Sequence, residues 1–275
     1  MATPDVYGKR RHEVANSNYM LRQFAITIAY DGTRYGGWQI QPNAPTVQQV
    51  LVNAISKATS EQVHVQGSGR TDAGVHAIGQ VGSFKLHNWN PPPDPLVPAI
   101  NCFLPSDVII RECREVVTTF DPIRHAKSKR YRYTIRNSPV QDPMSHLYHW
   151  WIRKPIDIEA MRTAAESLIG THDFKSFETQ GSPRRSTTRT VYDISIAPKD
   201  SMDGMDLWIE IEADGFLYNM VRNIVGTLWT IGSGRYGPRR MKTFLESKQR
   251  DTSDFTAPPQ GLCLLKVNYP NQVFL

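Results

Sequence analysis

Cysteine is scarce in this chain of 275 residues. Cys102, Cys113 and Cys263 are an odd number, lie far apart, form no Cys-x-x-Cys pair and have no histidine at zinc-finger spacing. They offer neither a disulfide framework nor a metal site, and they read as reduced, mostly buried thiols of a reducing compartment. No run of apolar residues approaches the roughly 18 in succession that a membrane span requires, so no integral membrane protein is expected. The first twenty residues carry Asp5, Glu13 and scattered Asn and Ser instead of the apolar core of a secretion signal, which points to the cytoplasm. There is no P-loop and no three-glycine dinucleotide fingerprint, which disfavours mononucleotide kinases and dehydrogenases. A methyltransferase is equally remote, because no glycine-rich donor loop follows a strand. Acidic residues are the minority: 32 Lys and Arg stand against 26 Asp and Glu, a net charge of +6 that favours a polyanionic partner.

What is present is an ordinary folding composition, 40% apolar and 21% charged, with enough chain for one large core or two domains. Residues 1–20 form a polar tail centred on Lys9-Arg10-Arg11, expected to be flexible. Phe24, Ile26, Ile28 and Tyr30 alternate as in a half-buried strand that Asp31-Gly32 ends. Thr46 and Gln49 form a capping box before the helical stripe Val47, Val50, Leu51, Ala54, Ile55 and Ala58, predicting a helix to about Lys57 or Thr59. Strands are expected at Val63–Val65, Val81–Leu86 and Val108–Val116, with Asn90 to Pro95 as an irregular surface connection. Phe120-Asp121-Pro122 closes the first half.

In the second half, Tyr131, Tyr133 and Ile135 share one face of a strand, and Arg130, Arg132, Thr134 and Arg136 share the other. Asp157 caps a helix through Ile169 that Gly170 stops; strands follow at Val191–Ala197 and Leu207–Ala213. Leu217, Met220, Val221, Ile224, Val225 and Leu228 mark another helix, and Leu262–Tyr269 a last strand. The pattern is α+β, one sheet with helices on one face, and predicts domains at residues 21–122 and 123–275.

The chemistry concentrates in Gly67-Ser68-Gly69-Arg70-Thr71-Asp72-Ala73-Gly74-Val75-His76-Ala77. One carboxylate and one guanidinium stand here among residues with almost no side chain, so a bulky substrate can reach the backbone. Taken alone, the loop reads equally well as a tight turn. Its string Gly-Arg-Thr-Asp-Ala-Gly-Val-His resembles the signature of the TruA-type tRNA pseudouridine synthases. Four further segments are similar to that family in its own order: Tyr30 to Gln39, Lys129-Arg130-Tyr131-Arg132-Tyr133, Gly215 to Gly226 and Ala257 to Leu262. Departures are few. Phe120-Asp121-Pro122-Ile123-Arg124 stands where many members read Phe-x-Ala-Arg, and Asn219 where some carry His.

The resemblance implies two RRM-like (ferredoxin-like) α+β domains joined in a continuous, mainly antiparallel sheet, a catalytic cleft between them, a homodimer and a tRNA substrate. It implies Asp72 as the group that attacks ribose C1′ or takes a proton from C2′, with Arg222 as its partner. On physical grounds alone Arg222 is either that partner or a solvated residue on the polar face of its helix. Tyr131 alone would read as a core aromatic; the resemblance makes it the ring against the target base and a candidate to remove the C5 proton. Arg70 could hold a phosphate or enter the stack where the base has left, and the resemblance favours the second; His76 reads as structural more readily than as a proton shuttle. The clusters Arg124 to Arg136, Arg184-Arg185-Arg189 and Arg235-Arg239-Arg240 would together line a tRNA groove. No cofactor and no metal are expected, since isomerisation neither oxidises nor imports a group. The rivals are an RNA-binding protein that has lost catalysis and the same chemistry on another RNA.

Overall fold

A computed structural model describes residues 21–179, 186–201, 204–249 and 255–275. The expected N-terminal tail and Arg184-Arg185 lie outside the described residues. Among the described residues, ten strands and five helices make a mixed α+β fold around one large, mostly antiparallel sheet. The strands are β1 (Arg22–Tyr30), β2 (Gln66–Gly67), β3 (His76–Leu86), β4 (Val108–Val116), β5 (Ser128–Asn137), β6 (Trp150–Ile152), β7 (Gly170–Asp173), β8 (Thr188–Ser201), β9 (Gly204–Ala213) and β10 (Leu262–Asn268). The helices are α1 (Val47–Thr59), α2 (Leu96–Asn101), α3 (Ile158–Ala165), α4 (Met220–Gly232) and α5 (Arg239–Ser247). Among the described residues no helix is long and apolar enough to cross a membrane.

The sheet order is β4-β1-β3-β10-β5-β9-β8-β7, with β2 on β3 and β6 on β5. Its last strand in sequence is central: β10 runs parallel to β3 through Cys263 opposite His76 and antiparallel to β5 through Leu264 opposite Tyr131. This brings the end of β3, next to the Asp72 loop, within one strand of the Tyr131 strand. Alternation on β5 buries Tyr131, Tyr133 and Ile135 against α4 and the neighbouring strands, as their spacing predicts.

Several local expectations hold and others need correction. Thr46 caps α1 through the Gln49 amide, but the box is half made, because the Gln49 side chain bonds Asn53 instead of returning to the cap. Asp157 caps α3 through the Ala160 amide at 2.9 Å, and a 3-10 turn carries that helix to Leu168 before Gly170. Val63–Val65 forms no strand: the Gln48 side chain takes the Val65 carbonyl that a partner strand would need. β3 begins earlier than expected, at His76. Of the cysteines, Cys113 is buried and Cys263 half-buried, their thiols pushed up by burial to about 12 and about 11, while Cys102 is exposed rather than buried.

α4 sits unusually close to the segment before β10. A Cβ on Gly226 would meet the Phe255 carbonyl oxygen at 1.7 Å, so only glycine fits. Gly226→Ala is expected to push this segment away and lower stability by about 1–3 kcal/mol, read as a fall in the urea midpoint at constant slope. An unchanged midpoint would contradict the close packing.

Candidate active site

Asp72 lies in the connection between β2 and β3, where chain flexibility would ordinarily be high. The loop is instead tied down at Ser68, Gly69 and Thr71. The Ser68 hydroxyl donates to Gln80 Oε1 at 2.7 Å, Gln80 Nε2 donates to the Gly69 carbonyl at 3.0 Å, and Lys129 Nζ reaches the Ser68 carbonyl at 2.6 Å. The Thr71 carbonyl accepts from the Trp38 amide at 3.0 Å, and its hydroxyl meets the buried Tyr30 hydroxyl at 2.8 Å. Gly37 permits this approach: its φ of +102° and the 2.6 Å gap from a built Cβ to the Thr71 carbonyl exclude any side chain. The motif around Gly37 and Trp38 therefore serves as the wall against which the Asp72 loop is cast.

Arg222 comes from the first turn of α4. Its Nε donates to the Ala257 carbonyl at 2.7 Å while the Ala257 amide donates to the Arg222 carbonyl at 3.1 Å, a two-way tie to the segment preceding β10. That segment is held in turn by the Tyr133 hydroxyl, which donates to the Pro258 carbonyl at 2.8 Å. Thus anchored, Arg222 Nη1 stands 3.4 Å from Asp72 Oδ2, bringing together two residues 150 positions apart. Their side chains are 16% and 25% exposed, so the pair is screened by solvent only in part. Burial pushes the Asp72 carboxyl above the usual range, and the Arg222 guanidinium offsets only part of that. The expected partner is thus in place beside Asp72, and desolvation is the larger of the two influences on its charge.

Asp72 and Arg222 face a cavity of about 1020 Å³ whose wall also carries Arg70, Lys129, Tyr131 and Tyr218. Arg70 is exposed and lines the same cavity as Asp72. Tyr131 is 9% exposed, and its ring stands edge-on to Phe216 with centroids 5.1 Å apart. Burial pushes the Tyr131 phenol far up, so at neutral pH it is a neutral ring and not a ready base. His76 takes its structural reading: Nδ1 accepts from the Gly32 amide at 3.1 Å and Nε2 meets the Leu147 carbonyl at 3.0 Å.

The basic face of β5 is not the free surface its sequence suggests. Arg130 pairs with Glu212 and Glu210, Arg132 with Glu210, and Arg136 with Asp206, all on the neighbouring β9, and Arg130 reaches one strand further to Asp193 on β8. Arg132 also lies over the Trp208 ring at 3.7 Å. Cross-strand pairing offsets these charges, while at one end of that cluster the exposed Arg124 makes a looser contact with Asp121 at 3.7 Å. Arg235 and Arg240 lie against Tyr236.

Sequence reasoning passed over three residues that build the site. Gln80 carries a signal in the sequence, a large polar side chain in the otherwise small or apolar segment Ile78 to Phe84. Lys129 looked like one more strand cation. Asn219 was set aside as a family variation, yet its Oδ1 accepts from Arg222 Nη1 at 2.9 Å. Among the described residues no group of three or more His, Cys, Asp or Glu is placed to hold a metal ion.

Comparison with known proteins bears on this arrangement. The family model described as tRNA pseudouridine synthase matches residues 26–122 and 164–270. The tRNA pseudouridine synthase A of Thermoanaerobacter sp. (strain X514) is 47% identical over 249 residues, 90% of this chain and 100% of that protein. The protein of that name from Pelobacter propionicus is 42% identical over the same shares. Among solved structures, an H/ACA RNP bound to a substrate RNA containing 2′-deoxyuridine has 11% identity, covers 75% of this chain and 43% of that one and has a TM-score of 0.35, too slight to bear on the fold. A match across both halves, at this identity and over the full length of the relatives, makes the chain a member of the TruA-type tRNA pseudouridine synthase family.

Proposed function

We propose that this isomerase converts uridine to pseudouridine in tRNA, at uridines on the 3′ side of the anticodon stem-loop. The observation that carries the reading is the Asp72–Arg222 pair at a large cavity beside a buried, neutral tyrosine. In the reaction the bond from uracil N1 to ribose C1′ breaks, the uracil turns, and C5 joins the same ribose carbon. N1 gains a proton and C5 loses one, so atoms balance with no cofactor and no metal.

In this reading the ionised Asp72 attacks C1′ or removes the C2′ proton. Arg222 orients it and limits the cost of desolvation when the nucleotide covers the site. A base must leave its stack to enter, and the Tyr131 ring supports it while it turns. That neutral phenol suits support better than proton removal. Arg70, exposed at the cavity, fills the gap left in the RNA. Phosphates are held by Arg70 and Lys129 at the cavity and by the exposed Arg124, whose contact with Asp121 is a loose 3.7 Å, more than by the tightly paired Arg130, Arg132 and Arg136, and binding should weaken steeply with salt.

The architecture fits two RRM-like halves, residues 21–122 and 123–275, with their helices on one face of the shared sheet and the cavity as the cleft between them. A homodimer acting in the cytoplasm completes the proposal. The test is site-by-site mapping of pseudouridine after incubating the purified protein with unmodified tRNA transcripts. Product confined to the 3′ side of the anticodon stem-loop is expected. Product elsewhere would discard the target assignment, and salt-sensitive binding without product would favour an RNA-binding module.

A further inference from the structure

Arg222 Nη1 serves two acceptors unequally. It stands 2.9 Å from Asn219 Oδ1 but 3.4 Å from Asp72 Oδ2, whereas an unhindered guanidinium–carboxylate contact closes to about 2.7–2.9 Å. Nε is already fixed on the Ala257 carbonyl, so the guanidinium can only pivot about that bond. The acceptor that takes the shorter contact sets where the pivot stops.

Asn219 is built for this task at the expense of the usual one. Asn is among the best residues for capping a helix, yet at the head of α4 its side chain makes no capping bond. Its backbone sits in the left-handed region at φ 59°, which aims the side chain across the helix end. There Oδ1 accepts from Arg222, and Nδ2 donates to the Thr179 hydroxyl at 3.1 Å. The two contacts fix which end of the amide faces the guanidinium.

We infer that Asn219 is a positioning residue that holds Arg222 back from Asp72, so that the carboxylate is oriented without being captured in a tight ion pair. The inference rests on Asp72 being the reacting carboxylate of the proposed isomerisation. A carboxylate locked on a guanidinium is a weaker nucleophile and base, because its electron pairs are already engaged; one held at a distance keeps them. Burial raises the proton affinity of Asp72, and the contact with Arg222 offsets only part of that rise. Among the described residues, the charged and titratable groups that share the cavity wall with Asp72 are Arg222 from the first turn of α4, Tyr218 from the segment before that helix, Lys129 and Tyr131 from β5, and Arg70 from its own loop.

Single-turnover rates of pseudouridine formation against pH, for wild type, Asn219→Gly and Asn219→Asp, test the inference. Glycine tolerates the left-handed backbone, so it removes the side chain without adding strain. In Asn219→Gly, Arg222 swings onto Asp72: the acid limb moves to lower pH, and the plateau falls roughly tenfold, the order of one charge-assisted hydrogen bond that now stabilises the ground state. In Asn219→Asp a second carboxylate draws Arg222 away and repels the first, so the acid limb moves to higher pH. Opposite displacements are the signature, since a purely structural role for Asn219 would alter the urea midpoint and move neither limb. Unmoved limbs and plateau, or an upward shift in Asn219→Gly, would overturn the inference. Carbon-13 NMR titration of the Asp72 carboxyl, assigned with Asp72→Asn, reads the same displacements without activity. A wild type that forms no product would instead count against the functional reading, and the titration would still decide the role of Asn219.

Discussion

Asp72→Asn is expected to lower the rate of pseudouridine formation on the order of 10⁴-fold or more, as removal of a reacting side chain does in other enzymes. The substitution preserves size and removes the two properties in use, a negative charge and a basic oxygen. Folding should survive it. Arg222 keeps its bonds to the Ala257 carbonyl and Asn219, and the loop stays anchored through Ser68, Gly69 and Thr71, none of which involves the carboxylate. Binding of tRNA is expected to hold within about threefold, because the removed charge opposes phosphates. The measurement is a single-turnover rate beside a filter-binding isotherm for each protein. A variant that retains a tenth of the wild-type rate would remove Asp72 from the chemistry.

Arg222→Met should lower the rate at neutral pH by about 10²–10³-fold, the loss typical of removing one preorganised electrostatic partner. It also makes a directional prediction. Burial raises the proton affinity of Asp72 and Arg222 restrains the rise, so without the guanidinium the carboxyl titrates higher still. The ionised form is the active one, so activity falls as pH drops through this value, and the acid limb of the variant must lie at higher pH than that of wild type. Part of the lost rate should therefore return on raising the pH. Arg222→Lys should recover little, since a single ammonium cannot reach both the Ala257 carbonyl and Asp72 from one stem. An acid limb identical in wild type and Arg222→Met would show that the pair does not act as a unit.

Much of this arrangement can be read from the residues because local physics determines it. Thr46, Asp157 and the apolar spacings of α1, α3 and α4 act within a few positions, as does the alternation of Tyr131, Tyr133 and Ile135. What stayed hidden depends on partners distant in sequence. Leu262–Asn268 is evidently a strand, but nothing local says that it separates β3 from β5. Arg130, Arg132 and Arg136 look like a phosphate-binding stripe until register sets Glu210, Glu212 and Asp206 opposite them. Helix α5 is masked by Arg239 and Arg240 at its start, although Met241, Phe244 and Leu245 bury the expected face. Helix α2 is masked by Pro95 and Pro98, which a first turn accepts because its amides need no partner within the helix. In the site, the signature points to Asp72, while the residues that immobilise its loop come from β3, β5 and the Gly37–Trp38 turn.

The central claim is that this cavity breaks a uridine N1–C1′ bond and rejoins the ribose to C5, and replacing the hydrogen on C5 reports it directly. Transfer RNA transcribed with uridine tritiated at C5 should release tritium to water with wild-type protein in the presence of a chelator, mole for mole with the pseudouridine formed, and release none with Asp72→Asn. No release by wild type under conditions where it binds the RNA, or release that persists in Asp72→Asn, would contradict the account.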